Sequence, residues 1–183
     1  MVNRYTQKSH PRIYRQWREV KSRCTKESFK ILNPTYKDCS ISKEWLTFQN
    51  FCHGYLQMSG SSRDWDIDKD ILIKGNKIYS KETCCLIPHE INSLIMTNKH
   101  NRGNLPIGVS FRNINDLKKP YYSRCNINHK LVNLGYFETP ELAFEAYKVA
   151  KESEIKRITN SYRFLINPKV YKILMSYEVN IND

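Results

Sequence analysis

PIGVSFRNINDLKKPYYSRCNINHKLVNLGYFETPELAFEAYKVAKE, residues 106–152, decides how the second half of this 183-residue chain folds. Val109 and Phe111 alternate with Ser110 and Arg112. Cys125 and Ile127 then alternate with Tyr122, Arg124, Asn126 and Asn128. A period of two marks strands with one apolar face and one polar, basic face. After the third strand-like run, Thr139 is placed to cap a helix, Pro140 fits its first position, and Glu141 sits at the positive end of its dipole. Ala143, Ala146, Tyr147 and Ala150 recur at offsets of three, four and seven, a narrow stripe that lets a helix of residues 140 to about 158 lie close against a sheet. The expected unit is a three-stranded antiparallel sheet with one helix on its apolar side and the other side open.

The open side carries Ser110, Arg112, Lys119, Tyr122, Arg124, Asn126, Asn128 and Lys130. Arg pairs bidentately with guanine, Asn with adenine, and Lys holds phosphate, so these residue types suit duplex recognition. The polar side of an ordinary antiparallel sheet is also solvated. The whole chain leans the same way: 30 Lys and Arg against 18 Asp and Glu give a formal charge of +12, which favours a polyanionic partner.

Gly108-Val109-x-x-Arg112, Leu134-Gly135-x-Phe137 and Thr139-Pro140-Glu141-x-Ala143-x-x-Ala146-Tyr147-x-x-Ala150 occur in order across the run. In these motifs it resembles the APETALA-two, or ethylene-response-factor, DNA-binding domain. The resemblance implies that the sheet binds double-stranded DNA. Plant members usually carry Trp in the second strand, where this chain has Tyr121 and Tyr122.

Upstream, DIDKDILIKGNKIYSKETCCLIPHEIN (66–92) reads as an acidic strand with Asp66, Asp68 and Asp70, a Gly75-Asn76 turn, a second strand from Lys77 to Ile87, and a helix from Pro88. Ile91, Leu94 and Ile95 form the buried stripe of that helix. This order is similar to the HNH nuclease unit, in particular to phage and intron homing endonucleases that join such a unit to an APETALA-two domain. That resemblance implies a divalent cation, Mg²⁺ or Mn²⁺, held by Asp68 or Asp70 together with Asn92, and a general base where this chain has Lys69. A lysine needs heavy desolvation to act as a base, so His89, and also His53, are candidate substitutes. A second reading makes the chain a catalytically silent regulator or anti-defence protein that occupies DNA or obstructs a nucleic-acid-guided host nuclease. Structured RNA is a third reading, because phosphate contacts do not tell RNA from DNA.

Elsewhere, Ile13, Trp17, Val20 and Cys24 fall at helical spacing with Arg and Lys between them. Trp45, Phe48, Phe51, Cys52 and Tyr55 form a second helical stripe after the break at Pro34. The six cysteines form no C-x-x-C pair and read as reduced, buried thiols, with a converging site of Cys39, Cys52, His53 and Cys84 left open. No stretch approaches the 18 or so apolar residues of a membrane span, and the first residues lack a secretion signal's apolar core. The expectation is a cytoplasmic α+β protein with no membrane partner. Residues 1–100 would form N-terminal helices and a degenerate HNH-like strand-strand-helix unit, and residues 101–183 the DNA-binding sheet, its helix and a helical tail.

Overall fold

A computed structural model describes residues 5–96, 104–114 and 117–182. It divides into two units, Met1–Asn92 with Arg163–Ile173, and Ser93–Tyr162 with Leu174–Asp183. The expected boundary at residue 100 lies outside the described residues, and the first unit takes in a segment that the sequence reading assigned to the second. The architecture is mixed α+β. No helix among the described residues is long and apolar enough to cross a membrane.

In the first unit, α1 (Pro11–Thr25) begins on a proline, whose fixed φ suits the first turn. It buries Ile13, Gln16, Val20 and Cys24. Gln16 takes the place expected for Trp17, because its amide donates to the Trp65 carbonyl at 2.6 Å. Trp17 stays half-buried, its indole N–H donating to the Trp45 carbonyl at 2.9 Å. A short helix, α2 (Glu27–Leu32), follows. The aromatic stripe divides between a 3₁₀ turn that holds Trp45 and α3 (Phe48–Leu56), which buries Phe51, Cys52 and Tyr55. Trp45 and Phe51 meet edge to face at 4.8 Å.

The acidic strand is short. β2 (Asp66–Asp68) ends where Asp68 Oδ1 accepts the backbone N–H groups of Asp70 and Ile71, both at 2.7 Å. Such an aspartate turn takes those donors out of any ladder. Gly75, at φ +77°, and Asn76 make the expected reversal. The second strand, expected to run from Lys77 to Ile87, is instead two pieces. β3 (Ile78–Tyr79) pairs in parallel with β1 (Ser40–Ile41), and β4 (Cys85–Ile87) pairs antiparallel with β2 in the register Asp66↔Ile87, Ile67↔Leu86, Asp68↔Cys85. Between them Ser80 and Thr83 close a local turn through their hydroxyls, and the Cys84 N–H donates to the Ser80 carbonyl at 3.0 Å. Helix α4 (His89–Ile95) follows β4 and buries Ile91, while Leu94 and Ile95 stay half-buried. A strand-strand-helix unit is therefore present as β2, β4 and α4.

In the second unit β5 (Val109–Phe111), β6 (Tyr121–Ile127) and β7 (Lys130–Phe137) form an antiparallel sheet in that order. Asn128 and His129, at φ 50° and 60°, make a two-residue hairpin between Ile127 and Lys130. Positive φ at both central residues fits the turn whose twist matches the strands. Helix α5 (Pro140–Ser161) covers the apolar face, and Thr139 Oγ1 accepts the Leu142 N–H at 3.3 Å as its cap. Val109, Cys125, Ala143, Phe144 and Tyr147 form the core with Val179. Gly108 is required there: its φ is +74°, and a Cβ would stand 2.1 Å from the Tyr147 ring. The buried carboxylate of Glu154 accepts the Asn128 N–H at 2.9 Å and both Nε and Nη2 of Arg157, at 2.7 and 2.8 Å. The C-terminal helix α6 (Pro168–Met175) is divided between the units, its residues up to Ile173 belonging to the first and Leu174 and Met175 to the second.

Candidate nucleic-acid interface

The face of the sheet turned away from α5 is set by the register. Ser110, Tyr122 and Tyr136 lie in one row across the three strands, Arg124 pairs with Asn133, and Asn126 with Leu131. Arg124, Asn126, Asn133 and Tyr136 are exposed. Between Ser123 and Arg124 the register shifts, so Leu134 is one residue too many for a flat ladder. This bulge turns Leu134 toward the core and puts Asn133 and Tyr136, three residues apart, on the same face. The Asn133 amide then donates to the Tyr136 hydroxyl at 3.4 Å.

On this face the cations stack on the tyrosines. The Arg112 guanidinium carbon lies 4.2 Å from the Tyr136 ring centre, and that of Arg124 lies 5.1 Å from the Tyr122 ring centre. The two rings are 6.1 Å apart. The result is a ladder, Arg112, Tyr136, Tyr122, Arg124. Stacking holds each guanidinium plane while leaving its N–H edges to seek acceptors. The Arg112 Nε is buried and has no hydrogen-bond partner within the described residues.

Of the residues expected at the interface, Ser110, Arg112, Tyr122, Arg124 and Asn126 come together here. Lys119 is exposed in the segment before β6. Asn128 is a turn residue whose N–H is held by Glu154, and Lys130 pairs with Ile127 at the sheet's end, on the side of α5. Tyr121 points into the core and Tyr122 outward. Tyr136 and Asn133 were missed, because simple alternation along β7 separates them.

In the strand-strand-helix unit, the convergent carboxylate is Asp66. Its Oδ2 accepts Asn92 Nδ2 and His89 Nδ1, each at 2.8 Å. Asp68 spends one oxygen on its own turn, and burial pushes its pKa up. Asp70 pairs with Lys69 at 2.5 Å, and the Lys69 ammonium is buried 5.8 Å over the Tyr79 ring. His53 contacts Gln57 at 3.1 Å. Among the described residues, no three His, Cys, Asp or Glu side chains gather as a metal set, the Cys39, Cys52, His53 and Cys84 group included.

A hard divalent cation asks for oxygen ligands and tolerates as few as one protein carboxylate when it keeps its waters. Asp66 and Asn92, partly exposed and one hydrogen bond apart, are the carboxylate and amide that the structure brings together, whereas Asp68 and Asp70 each engage one oxygen locally, with their own turn and with Lys69. Compared with known proteins, the chain matches no protein-family model, no curated protein and no solved structure.

Proposed function

We propose that this chain binds double-stranded DNA through the exposed face of β5, β6 and β7. The observation that carries the reading is the ladder of Arg112, Tyr136, Tyr122 and Arg124, two oriented guanidinium groups on an exposed sheet of a protein with charge +12. Guanidinium edges read guanine O6 and N7 in the major groove, and nearby Asn126 offers the amide that pairs with adenine. Titration of fluorescent duplex DNA against salt tests it. Binding should weaken as salt rises, with a log–log slope of about −3 to −5 for a handful of phosphate contacts. Arg112→Ala with Arg124→Ala should lower affinity at least tenfold. Flat titrations at low ionic strength, or unchanged affinity in the double variant, overturn the reading.

The cluster of Asp66, His89 and Asn92 favours a second activity on the same polymer, metal-dependent nicking. Mg²⁺ or Mn²⁺ would be held by Asp66 and Asn92, where it supplies positive charge to a leaving phosphodiester oxygen. His89 is anchored through Nδ1 to Asp66, which fixes the ring beside that carboxylate. The test is relaxation of supercoiled plasmid with either metal. Nicking by the wild type that Asp66→Ala and Asn92→Ala lose, and Asp70→Ala keeps, supports this reading. No nicking by the wild type removes it and leaves a DNA-binding protein.

A further inference from the structure

The outer face of α1 is a cationic feature that the sheet reading does not use. Its buried positions are Ile13, Gln16, Val20 and Cys24. On a helix of 3.6 residues per turn, Arg15, Arg18, Ser22 and Thr25 lie directly opposite them, with Lys21 alongside and Lys26 just past the last turn. Arg15, Arg18, Thr25 and Lys26 are exposed. The acid at the edge of this face, Glu19, is turned to Arg23 at 3.9 Å. Arg15 reaches Asp64 only at 3.8 Å with both side chains well exposed, a contact that water largely screens.

The face is also shaped. A groove of about 560 Å³ runs along it, with Tyr14 and Trp17 in its wall beside Arg15, Arg18 and Lys21. Lys21 stacks on the Trp17 ring at 5.0 Å, which holds its ammonium on the groove side. From Arg15 to Lys26 the cations span eleven residues, about 16 Å at 1.5 Å per residue. Duplex DNA presents one charge per about 1.7 Å of its axis, so the row can run beside several consecutive phosphates. The groove's aromatic walls are engaged with Phe48 and Lys21, and its cations follow one another along the helix axis, an arrangement that suits a run of phosphates.

We infer that α1 is a second DNA contact, a phosphate-backbone grip made by Arg15, Arg18, Lys21 and Lys26. It rests on the duplex-binding reading for its polymer but on different residues in the other unit. The two contacts carry different signatures. Loss of a backbone grip lowers affinity for every sequence alike and flattens the salt dependence by about one per cation removed, whereas loss of a base contact also erodes sequence preference.

The experiment compares full-length wild type, Arg15→Ala/Arg18→Ala/Lys21→Ala, and Arg112→Ala/Arg124→Ala on duplexes of several sequences across a salt series. The α1 positions are on the outer side of a helix and Ala is a good helix former, so the triple variant should melt like the wild type. Its slope should be shallower by about two to three, its affinity at low salt at least tenfold weaker, and its ranking of duplexes unchanged. A companion variant, Arg15→Lys/Arg18→Lys, keeps the charges and should retain the wild-type slope. Glu19→Gln should bind more tightly than wild type. If the triple variant keeps the wild-type slope while the sheet variant loses binding, the α1 grip is wrong and the sheet reading stands. If only the triple variant weakens, α1 binds and the sheet reading is wrong. Absence of binding by the wild type overturns both.

Discussion

The guanidinium carbon of Arg112 stands 4.2 Å from the centre of the Tyr136 ring, although Arg112 directly follows β5 and Tyr136 is on β7, the strands at opposite edges of the sheet. The ring fixes the plane of the cation, so Tyr136 positions a contact without being charged itself. Tyr136→Leu should therefore lower duplex affinity about three- to tenfold, the scale of an exposed to partly desolvated cation–π contact, while leaving the salt slope alone. Arg112→Lys should keep the slope as well but lose discrimination between duplexes, since an ammonium lacks the planar fork. Anisotropy titrations on two unrelated duplexes check both.

How much of this was legible beforehand follows from which signals were local. The α5 cap at Thr139 and the alternation through β6 depend on neighbours a few residues apart, and they appear where expected. Tyr136 does not, because its place on the open face depends on the bulge at Ser123 and Arg124, a product of strand pairing across the sheet. The acidic strand offers three aspartates two residues apart. Asp66 is the one that meets Asn92, since Asp68 is drawn into its own turn and Asp70 into Lys69. Local hydrogen bonds that end the strand at Asp68 thus decide which carboxylate faces α4, and the spacing of aspartates does not encode that choice.

Asp68 should behave as a charge held at some cost. Burial pushes its pKa up, against the two backbone N–H groups and Lys69, which pull it down. A carboxyl whose folded pKa is raised binds its proton more tightly when native, so it lowers stability as pH rises through the carboxylate range and keeps it lower at neutrality. Asp68→Asn retains an oxygen for the N–H groups of Asp70 and Ile71 and removes the charge. Its urea midpoint should exceed that of the wild type at pH 7 and converge with it near pH 3, as followed by circular dichroism.

Glu154 has the opposite sign. Hydrogen bonds from Arg157 are the main cause holding its carboxyl below the usual range, with the Asn128 N–H adding to them against burial. A depressed folded pKa contributes stability that is fully present above the unfolded value, near 4.3, and is lost as pH falls through the folded one. Glu154→Gln should cost about 1.5–3 kcal/mol at pH 7, the range for hydrogen bonds to a charged group. The same change should speed hydrogen exchange at the Asn128 amide, because the hairpin turn loses the carboxylate that holds it.

The six thiols give a readout of each unit's opening. All are free and buried. Burial pushes Cys24 and Cys52 up to about 11 and Cys84 up to about 12, and raises Cys39, Cys85 and Cys125 as well. The thiolate is the reacting species, and a thiol at 11 is ionised in only about one molecule in a thousand at pH 8. Iodoacetamide at pH 8 should therefore leave the native protein almost unmodified over the time in which guanidinium-unfolded protein takes six adducts. Five of the cysteines belong to the first unit and Cys125 to the core of the second. Peptide mapping across a urea series should show whether Cys125 becomes reactive together with the other five or apart from them. Separate onsets would mean that the sheet and its helix open independently of the β2, β4 and α4 unit. Rapid labelling of any one thiol in the native state would contradict its burial.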